Sequence, residues 1–327
     1  MAILRSSSRR PRVAIVAGGS RGLGLLVAHR LVHLGFSVAI CARGEEGVAY
    51  AVERLQRAAR GRVEVRGATC DVGDAESVAA WVRGVEDELG GVDVAITVAG
   101  AIDVGPAETM TTDDFAHAID IMLRGPIHVA WAVLPGMRAR RRGRIGTVSS
   151  IGGAVAVPHL LPYTAAKAGA IAFAEGLAAE LAGSGVTSTA VIPGLMRTGA
   201  HEVARFRGDA RKEAAWFASA ASIPVLSMPA ARAARVLVDG VLAGRTHVRT
   251  PWWTHLATRV HGVAPSTTVR ATQLAALLLP RAGASPEPAT EGRLVPRSAL
   301  TSALTALGER SARRLGTRVG REQTRHR

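Results

Sequence analysis

Short apolar runs alternate with longer helical patterns over the first 250 residues. The run Val13–Ala17 leads through a glycine-rich turn into a helical pattern over Leu25–Leu34. Later runs predict strands at Ser37–Cys41, Val63–Ala68, Val92–Val98, Ile145–Ser149, Val186–Ile192 and Thr246–Arg249. Helices are predicted at Tyr50–Ala59, Ala75–Leu89, Thr112–His128 with Thr112 as N-cap, from Tyr163 to about Leu181, and at Pro229–Gly240. The alternation predicts an α/β fold, a Rossmann-like doubly wound parallel sheet with helices on both faces.

The pattern changes near residue 250. We expect one Rossmann-fold domain over residues 12–250, preceded by a basic N-terminal arm at 1–11. Residues 251–280 carry Trp252, Trp253 and a leucine-rich helix at Ala271–Leu279, and predict an apolar helical extension. Residues 281–327 are rich in Pro, Ser, Gly, Glu and Arg, which is typical of a disordered tail. The apolar segment 199–228 predicts either a lid or an ordinary amphipathic helical hairpin.

Charge and cysteine content restrict the class of protein. The net charge is +15, and arginines concentrate at both ends of the chain. These ends are either solubilising tails or contacts to nucleic acid or an anionic membrane, and the lack of aromatic residues among the tail arginines disfavours nucleic acid. Met1–Arg12 lacks the apolar core of a signal peptide, and no run reaches the ~20 apolar residues of a membrane span. The two cysteines form no metal or disulfide framework, so a cytoplasmic protein without a metal is expected.

The turn after the first strand has the composition of a phosphate-binding loop. Its glycines are Gly18, Gly22 and Gly24, in the spacing Gly-x-x-x-Gly-x-Gly, with Ser20, Arg21 and Leu23 in the same turn. Glycines let the backbone approach a diphosphate, and the following helix offers unpaired N–H groups at its N-terminus. A strand, glycine turn and helix in this order predict a dinucleotide site.

The second predicted strand indicates which dinucleotide binds. An NAD site usually ends this strand with a carboxylate for the ribose 2′-hydroxyl, whereas here the chain reads Cys41-Ala42-Arg43. Arg43 and Arg21 form a candidate clamp for a 2′-phosphate, which predicts NADP(H) in preference to NAD(H). The alternative is that both arginines only face solvent.

Further cofactor contacts are predicted where later strands end. Asp71, beside Val72, is placed to accept a hydrogen bond from an adenine amino group, to cap the helix at Ala75–Leu89, or both. The fourth strand ends in Ala99-Gly100, which lets the chain pass close to a cofactor. The sixth strand leads into Pro193-Gly194, and Thr198 is placed to bond a phosphate or the nicotinamide amide.

A hydroxyl, a phenol and an ammonium follow the fifth predicted strand. Ser150 comes directly after this strand, and Tyr163 precedes Lys167 by four residues, which places both on one face of a helix. A nearby cation favours phenolate, so Lys167 is expected to lower the pKa of Tyr163 and fit it for acid–base catalysis. Ser150 is placed to hydrogen-bond a carbonyl oxygen held beside Tyr163. The alternative for the Tyr-x-x-x-Lys pair is an ordinary surface contact.

With the glycine loop, Ser150, Tyr163, Lys167 and Pro193-Gly194 in this order, the chain resembles the short-chain dehydrogenase/reductase family over residues 12–250. The resemblance implies that Tyr163 exchanges a proton with the substrate oxygen. It also implies that Ser150 orients the carbonyl and that Lys167 lowers the pKa of Tyr163 and holds the nicotinamide ribose. Family members usually form homodimers or homotetramers through the helices around residues 112–135 and 163–182.

Three motifs depart from the family pattern. Ala17 stands where the glycine motif usually begins with Thr, and Thr97-Val98 stand where two Asn usually precede Ala99-Gly100. Met122 stands where the family usually has an Asn that holds a water leading protons from the lysine to solvent. Methionine anchors a water poorly, so proton resupply takes another path or is slower.

These observations predict an NADP(H)-dependent oxidoreductase that interconverts a ketone or aldehyde and an alcohol by hydride transfer, with Tyr163 as proton donor or acceptor. The apolar segment 199–228 suggests a small, hydrophobic substrate. Met122 motivates one alternative, a catalytically weak NADP(H)-binding sensor or scaffold. A second alternative, a peripheral membrane reductase of lipid-like substrates, rests on Trp252-Trp253, the apolar segment and the basic tail.

Overall fold

Seven parallel strands form the central sheet of the protein. The computed structural model describes residues 11–223, 227–282, 289–296 and 315. The strands in chain order are β1 Val13–Ala17, β2 Ser37–Ala42, β3 Val65–Thr69, β4 Val92–Thr97, β5 Asp103–Val104, β6 Gly143–Val148, β7 Val186–Pro193, β8 Leu195–Arg197, β9 Arg205–Phe206, β10 Ser227–Pro229, β11 His247–Thr250 and β12 Thr290–Glu291. The central sheet has the order β3-β2-β1-β4-β6-β7-β11. The strand order runs from β1 to β2 and β3 on one side and to β4 and β6 on the other, so it reverses beside β1. Open α/β sheets bind ligands at such a reversal.

Helices cover both faces of this sheet. In chain order the described α-helices are α1 Gly22–His33, α2 Glu45–Ala59, α3 Ala75–Leu89, α4 Thr112–Ile119, α5 Gly125–Ala139, α6 Ile151–Ala154, α7 Leu161–Glu180, α8 Ala210–Ser222, α9 Ala230–Leu242, α10 Trp252–Val263 and α11 Pro265–Ala276. The alternation of strands and helices therefore gives the predicted doubly wound α/β fold, which the structure confirms.

The two faces of the sheet carry separate apolar cores. Val13, Ile15 and Ala17 of β1 belong to the core on one face, packed with α3, α5 and α7. Ala14 and Val16 belong to the core on the other face, packed with α1, α2 and α9. This alternation follows from the two-residue period of a strand, and burial on both faces explains why the strands read as continuous apolar runs.

The long helix predicted at Thr112–His128 is built differently. Thr111, not Thr112, is the N-cap, because its hydroxyl accepts from the Asp114 amide while the Asp114 carboxylate accepts from the Thr111 amide. A π-helical turn at Asp120–Arg124 interrupts the helix, and the helical path continues through α5 to Ala139. Helix α2 also begins earlier than predicted, at Glu45 rather than Tyr50.

The C-terminal extension is a pair of helices rather than the single helix predicted at Ala271–Leu279. Helix α10 begins at Trp252 and α11 follows it after Ala264 alone; we call the two together the α10–α11 hairpin. Part of the segment predicted as a disordered tail is ordered, because Thr290–Glu291 pairs with β9. Residues 1–10 of the predicted basic arm and most of the predicted tail lie outside the described residues. Among the described helices, none has the length and apolar character needed to cross a membrane.

Candidate active site

Ser150 lies just beyond the carboxyl end of β6. It is the N-cap of the short helix α6, and its hydroxyl oxygen accepts from the Gly152 amide at 3.1 Å. Accepting this bond leaves the hydroxyl hydrogen available as a donor. A Cβ added to Gly152 would lie 3.4 Å from the Tyr163 ring and 3.7 Å from Ser150 Oγ, so the first two residues of the predicted set lie close together.

Helix α7 brings Tyr163 and Lys167 to the same place. Pro162 lies in the first turn of α7, where its missing N–H costs nothing. The Lys167 side chain is buried, and its Nζ donates to the Val148 carbonyl oxygen at 2.7 Å. Ser149 Oγ donates to the Lys167 carbonyl oxygen at 2.6 Å. These two bonds fix α7 against the end of β6.

Burial changes both pKa values at this place. It lowers the pKa of Lys167 to about 8. Burial raises the pKa of Tyr163, and the hydrogen bond with Ser150 offsets only part of that increase. The expected lowering of the Tyr163 pKa is therefore not what this structure gives. The Lys167 Nζ lies 5.9 Å from the centre of the phenol ring and donates to a backbone oxygen instead.

Two glycines after Ser150 allow α6 and α7 to approach so closely. A Cβ on Gly153 would lie 2.5 Å from the Lys167 carbonyl carbon, and one on Gly152 would lie 3.4 Å from the Tyr163 ring. No functional role was predicted for this Gly152-Gly153 pair from the sequence. Its signal was available, because two glycines directly after a candidate catalytic serine indicate a close backbone approach.

The glycine loop packs tightly between β1 and its neighbours. Gly18 has a φ of +84°, and a Cβ there would lie 2.5 Å from the Ala99 amide nitrogen. A Cβ on Gly24 would overlap the Gly18 carbonyl oxygen. The Gly18 amide donates to the Cys41 carbonyl oxygen at 2.9 Å, which joins the loop to the end of β2. Only glycine fits these positions without moving the backbone.

Gly22, the first residue of α1, faces more open space. Its φ is +56°, and the nearest atom to an added Cβ is the Cβ of Thr198, 4.0 Å away. The Gly22 amide donates to the Leu315 carbonyl oxygen at 3.0 Å. A helix N-terminus with an accessible glycine backbone fits the diphosphate of a dinucleotide. A diphosphate bound to this amide has to replace the Leu315 carbonyl.

Ser20 and Arg21 lie in the same loop, Leu23 lies in the first turn of α1, and Arg43 follows β2. Arg21 is the N-cap of α1, Leu23 is buried in the core, and Ser20 lies beside Gly47 of α2. Ala17 pairs with Cys41, so the residues after β1 and β2 share one edge of the sheet. The Arg43 side chain is exposed at this edge.

Asp71 does not cap α3. The N-cap is Asp74, whose side chain accepts from the Glu76 amide, while Asp71 accepts from the Gly73 amide at 2.9 Å in the preceding turn. The capping alternative for Asp71 was therefore wrong, since the helix begins one residue after Asp74. Val72 is buried, and its carbonyl oxygen lies 3.0 Å from His128 Nδ1.

The segment after β7 contains three residues that were predicted to contact the cofactor, namely Pro193, Gly194 and Thr198. Thr198 is buried, and its hydroxyl oxygen accepts from the Ala200 amide at 3.3 Å. Pro193 ends β7, and Gly194 lies against α10, where an added Cβ would come within 2.7 Å of the Trp253 ring. The α10–α11 hairpin thus packs directly on the Pro193-Gly194 turn.

Met122 is fully buried inside the π-helical turn. An added Cβ on Gly100 would lie 3.6 Å from the Met122 sulfur, so this side chain lies beside the turn that ends β4. π-Helical turns are frequently found at functional sites. The thioether offers only a weak acceptor at this position.

Helix α8 forms an apolar cover next to Tyr163. Phe217 and Phe206 belong to a small buried cluster, and Tyr163 packs against that cluster. Glu213 of α8 is fully buried and accepts from Trp216 Nε1 at 2.6 Å, and a 2.8 Å hydrogen bond joins it to His159 Nδ1. Segment 199–228, of which 224–226 lie outside the described residues, thus packs beside Tyr163, and its action as a lid stays a prediction. The His159–Glu213 pair was missed because the two residues are distant in sequence.

Known proteins resemble this chain over its sheet domain. The family model described as short chain dehydrogenase matches residues 12–206. A Streptomyces coelicolor protein named "Putative ketoacyl reductase" is 38% identical over 188 residues, which cover 57% of this chain and 71% of that protein. The acetoacetyl-CoA reductase of Paracoccus denitrificans is 34% identical over 187 residues, covering 57% and 74% of the two chains.

Solved structures give the same result. A variant of actinorhodin polyketide ketoreductase, solved with NADPH, matches with a TM-score of 0.65 and 31% identity, over 73% of this chain and 95% of that one. A short-chain dehydrogenase from Streptomyces avermitilis matches with a TM-score of 0.67 over 81% of this chain and 98% of that one. Its identity of 24% supports likeness of fold alone.

Proposed function

The chain belongs to the short-chain dehydrogenase family, and on that premise we propose that it interconverts a hydrophobic carbonyl compound and its alcohol with NADP(H), using Tyr163 as the proton carrier. Membership makes it an NAD(P)-dependent oxidoreductase that acts on CH–OH groups. The observation that carries the proposal is the meeting of Ser150, Tyr163 and Lys167 at the carboxyl ends of the parallel strands.

The residues around the glycine loop fit a dinucleotide. Gly18, Gly22 and Gly24 admit the diphosphate to the backbone, and the first amides of α1 donate to it. Other contacts are proposed for residues at the adjacent strand ends, namely Asp71 and Val72, Ala99 and Gly100, and Pro193, Gly194 and Thr198. The bound nicotinamide supplies hydride to a carbonyl carbon or takes it from an alcohol.

Each of the three side chains has a distinct task in reduction. Tyr163 Oη gives its proton to the oxygen that becomes the alcohol, and the raised pKa keeps this proton in place until charge develops on that oxygen. The Ser150 hydroxyl donates to the same oxygen, because accepting from the Gly152 amide leaves its hydrogen free to donate. Lys167 is mostly protonated at neutral pH and binds the nicotinamide ribose as a donor.

The preference for NADP(H) rests on the sequence after β2. Arg43 is exposed at the loop edge, and the position that usually carries a ribose-binding carboxylate is Ala42. In the Arg43→Ser variant, the affinity for NADPH should fall nearly to the affinity for NADH. Equal NADPH and NADH dissociation constants in the unaltered protein would contradict the preference. Fluorescence titration with both cofactors measures it without a substrate.

The substrate class follows from the cover over Tyr163 and from the relatives. The apolar cluster of Phe206 and Phe217 suits a hydrophobic carbonyl compound, and the similar proteins are ketoacyl and acetoacetyl-CoA reductases. We therefore propose 3-ketoacyl thioesters and related hydrophobic ketones as substrates.

Oxidation of NADPH with acetoacetyl-CoA, longer 3-ketoacyl thioesters and a panel of linear and cyclic ketones tests the proposal. We expect turnover with at least one hydrophobic ketone. Tight NADPH binding without turnover on any of them would favour the sensor alternative. A gain of turnover in Met122→Asn would then identify Met122 as the cause of the inactivity.

Helices α5 and α7 offer an interface for a second copy. Trp131 of α5 is 59% exposed and packs against Phe173 of α7 with ring centres 6.1 Å apart, and Leu161 is also exposed. We propose a homodimer or homotetramer through these helices.

The buried, unpaired cysteines Cys41 and Cys70 favour a reducing compartment such as the cytoplasm.

A further inference from the structure

The α10–α11 hairpin is held to the protein by little buried surface. In α10 the buried residue is Thr254, and α11 contains no buried residue. Helix α11 packs chiefly on α10, while α10 packs on β11 and on α6. An amphipathic helix normally buries its apolar side against its own protein. In this hairpin most of the apolar side chains face outward instead.

The outward side of the hairpin concentrates large apolar side chains. In α10 they are Trp252, Leu256, Val260 and Val263, whose spacing places them on one face of the helix. In α11 and the turn after it they are Val269, Leu274, Leu277 and Leu278; Trp252 is 76% exposed and Leu278 is 88% exposed. More than half of the exposed large apolar side chains of the described residues lie in this hairpin and the turn after it. Monomeric proteins rarely expose large apolar patches, so this concentration of exposed apolar side chains indicates an interaction site.

The charge of the same segment is entirely positive. Residues 251–282 contain Arg259, Arg270 and Arg281 and neither Asp nor Glu, and the three arginines are exposed. A face with Trp and Leu beside arginines matches an anionic lipid surface, where apolar groups enter the headgroup boundary and arginines meet phosphates. A second copy fits less well, because a symmetric contact would bring these arginines against each other.

We propose that the exposed side of the α10–α11 hairpin docks on the surface of an anionic lipid bilayer. Each helix has 12 residues and is about 18 Å long, so the hairpin lies on the bilayer and does not cross it. The proposal rests on the hairpin alone and stands whether or not the proposed reaction is correct.

Docking through this side brings the candidate active site close to the lipid. Trp253 and Thr254, on the inner side of α10, contact Gly194, and α10 also packs on α6, the helix that Ser150 caps. A hydrophobic carbonyl compound dissolved in the bilayer would then have a short path to the site. This consequence, unlike docking itself, depends on the proposed function.

Flotation of the full-length protein with vesicles tests the docking. The probes are vesicles of equimolar phosphatidylglycerol and phosphatidylcholine, and vesicles of phosphatidylcholine alone. We expect binding to the anionic vesicles that weakens as salt screens the arginines. The double variant Leu277→Gln/Leu278→Gln should lower the partition coefficient about tenfold. The triple variant Arg259→Gln/Arg270→Gln/Arg281→Gln should lower it about a hundredfold.

Matched variants elsewhere on the surface provide the controls. Leu34→Gln/Val236→Gln removes two exposed aliphatic side chains, and Arg83→Gln/Arg232→Gln/Arg235→Gln removes three exposed arginines. Both should bind vesicles like the unaltered protein, and circular dichroism should show that every variant is folded. If the full chain does not float with anionic vesicles, the proposal is overturned.

Two further outcomes would also overturn it. If hairpin and control variants lose binding equally, the arginine-rich chain is held by its overall charge or its tail. If Leu277→Gln/Leu278→Gln instead dissociates an oligomer in sedimentation velocity and leaves flotation unchanged, the face is an interface between copies of this chain.

Discussion

Helix α7 and the α10–α11 hairpin both have apolar-rich sequences, yet their surroundings are opposite. Along α7 the buried residues include Ala166, Lys167, Ala170 and Ala174, and its small side chains let β7 and the π-helical turn come close. The hairpin carries larger apolar residues and buries Thr254 alone. The difference teaches that small residues on an apolar helix indicate close packing inside the fold. Large ones without a packing partner indicate a surface for something outside it.

The comparison also has an energetic side. A Cβ added at Gly152, Gly153 or Gly169 meets a neighbouring atom, and the charge of Lys167 is desolvated. The outer side of the hairpin faces solvent, so a change of side chain there alters few contacts within the protein. Substitutions should therefore have large effects in the first region and small ones in the second, in the protein free of lipid.

The largest expected difference concerns two aromatic residues. Tyr163→Phe removes the proton donor and should lower kcat about 10²- to 10⁴-fold, whereas NADPH affinity stays nearly unchanged. Trp252→Phe on the hairpin should leave kcat in detergent-free buffer unchanged. Steady-state kinetics of both variants with one active ketone measure this. Comparable kcat for Tyr163→Phe and the unaltered enzyme would remove Tyr163 from the mechanism.

Two glycines, Gly153 of α6 and Gly262 of α10, give the next largest expected difference. Gly153→Ala places a methyl group 2.5 Å from backbone atoms of Lys167, and should destabilise the protein by about 3 kcal/mol. Gly262→Ala in α10 meets nothing within 4 Å and should stabilise by about 0.5–1 kcal/mol through helix propensity. Urea unfolding of the two variants gives both numbers. A tolerated Gly153→Ala would show that α6 and α7 are not so closely packed.

The buried lysine gives a smaller, pH-dependent contrast. The pKa of Lys167 falls from 10.5 to about 8 on folding, so burying the cation costs about 3 kcal/mol below pH 8. Lys167→Met removes that cost and one hydrogen bond worth about 1 kcal/mol, so it should stabilise the protein by about 2 kcal/mol at pH 7. From pH 8 to 10.5 the native state releases its proton before the unfolded state does, so the unaltered protein gains stability and the advantage of the variant shrinks.

Urea unfolding at pH 7 and pH 10 measures this change. The control is Arg259→Met on the hairpin, where the exposed side chain should give the same small effect on stability at pH 7 and at pH 10. An advantage of Lys167→Met that does not depend on pH would mean that Lys167 is solvated in the native state.

The features predicted correctly from sequence are those fixed by local patterns. Five consecutive apolar residues define β1, and the glycine spacing places the turn before α1. The raised pKa of Tyr163 was not predictable, because it depends on how deeply neighbouring elements bury the ring. The His159–Glu213 pair and the Gly22–Leu315 contact join residues far apart in the chain, and no local pattern marks them. The exposure of the apolar side chains on the hairpin was not predictable either, because the sequence does not show whether an apolar residue is covered.

Deuterium transfer tests the central claim that a carbonyl is reduced beside Tyr163. The enzyme is given NADPH deuterated at both C4 positions and the best hydrophobic ketone, and the alcohol is analysed by mass spectrometry. We predict one deuterium on the carbinol carbon with the unaltered enzyme, and no alcohol with Tyr163→Phe, which still binds the cofactor. An alcohol without deuterium, or equal amounts of labelled alcohol from both proteins, would contradict the account.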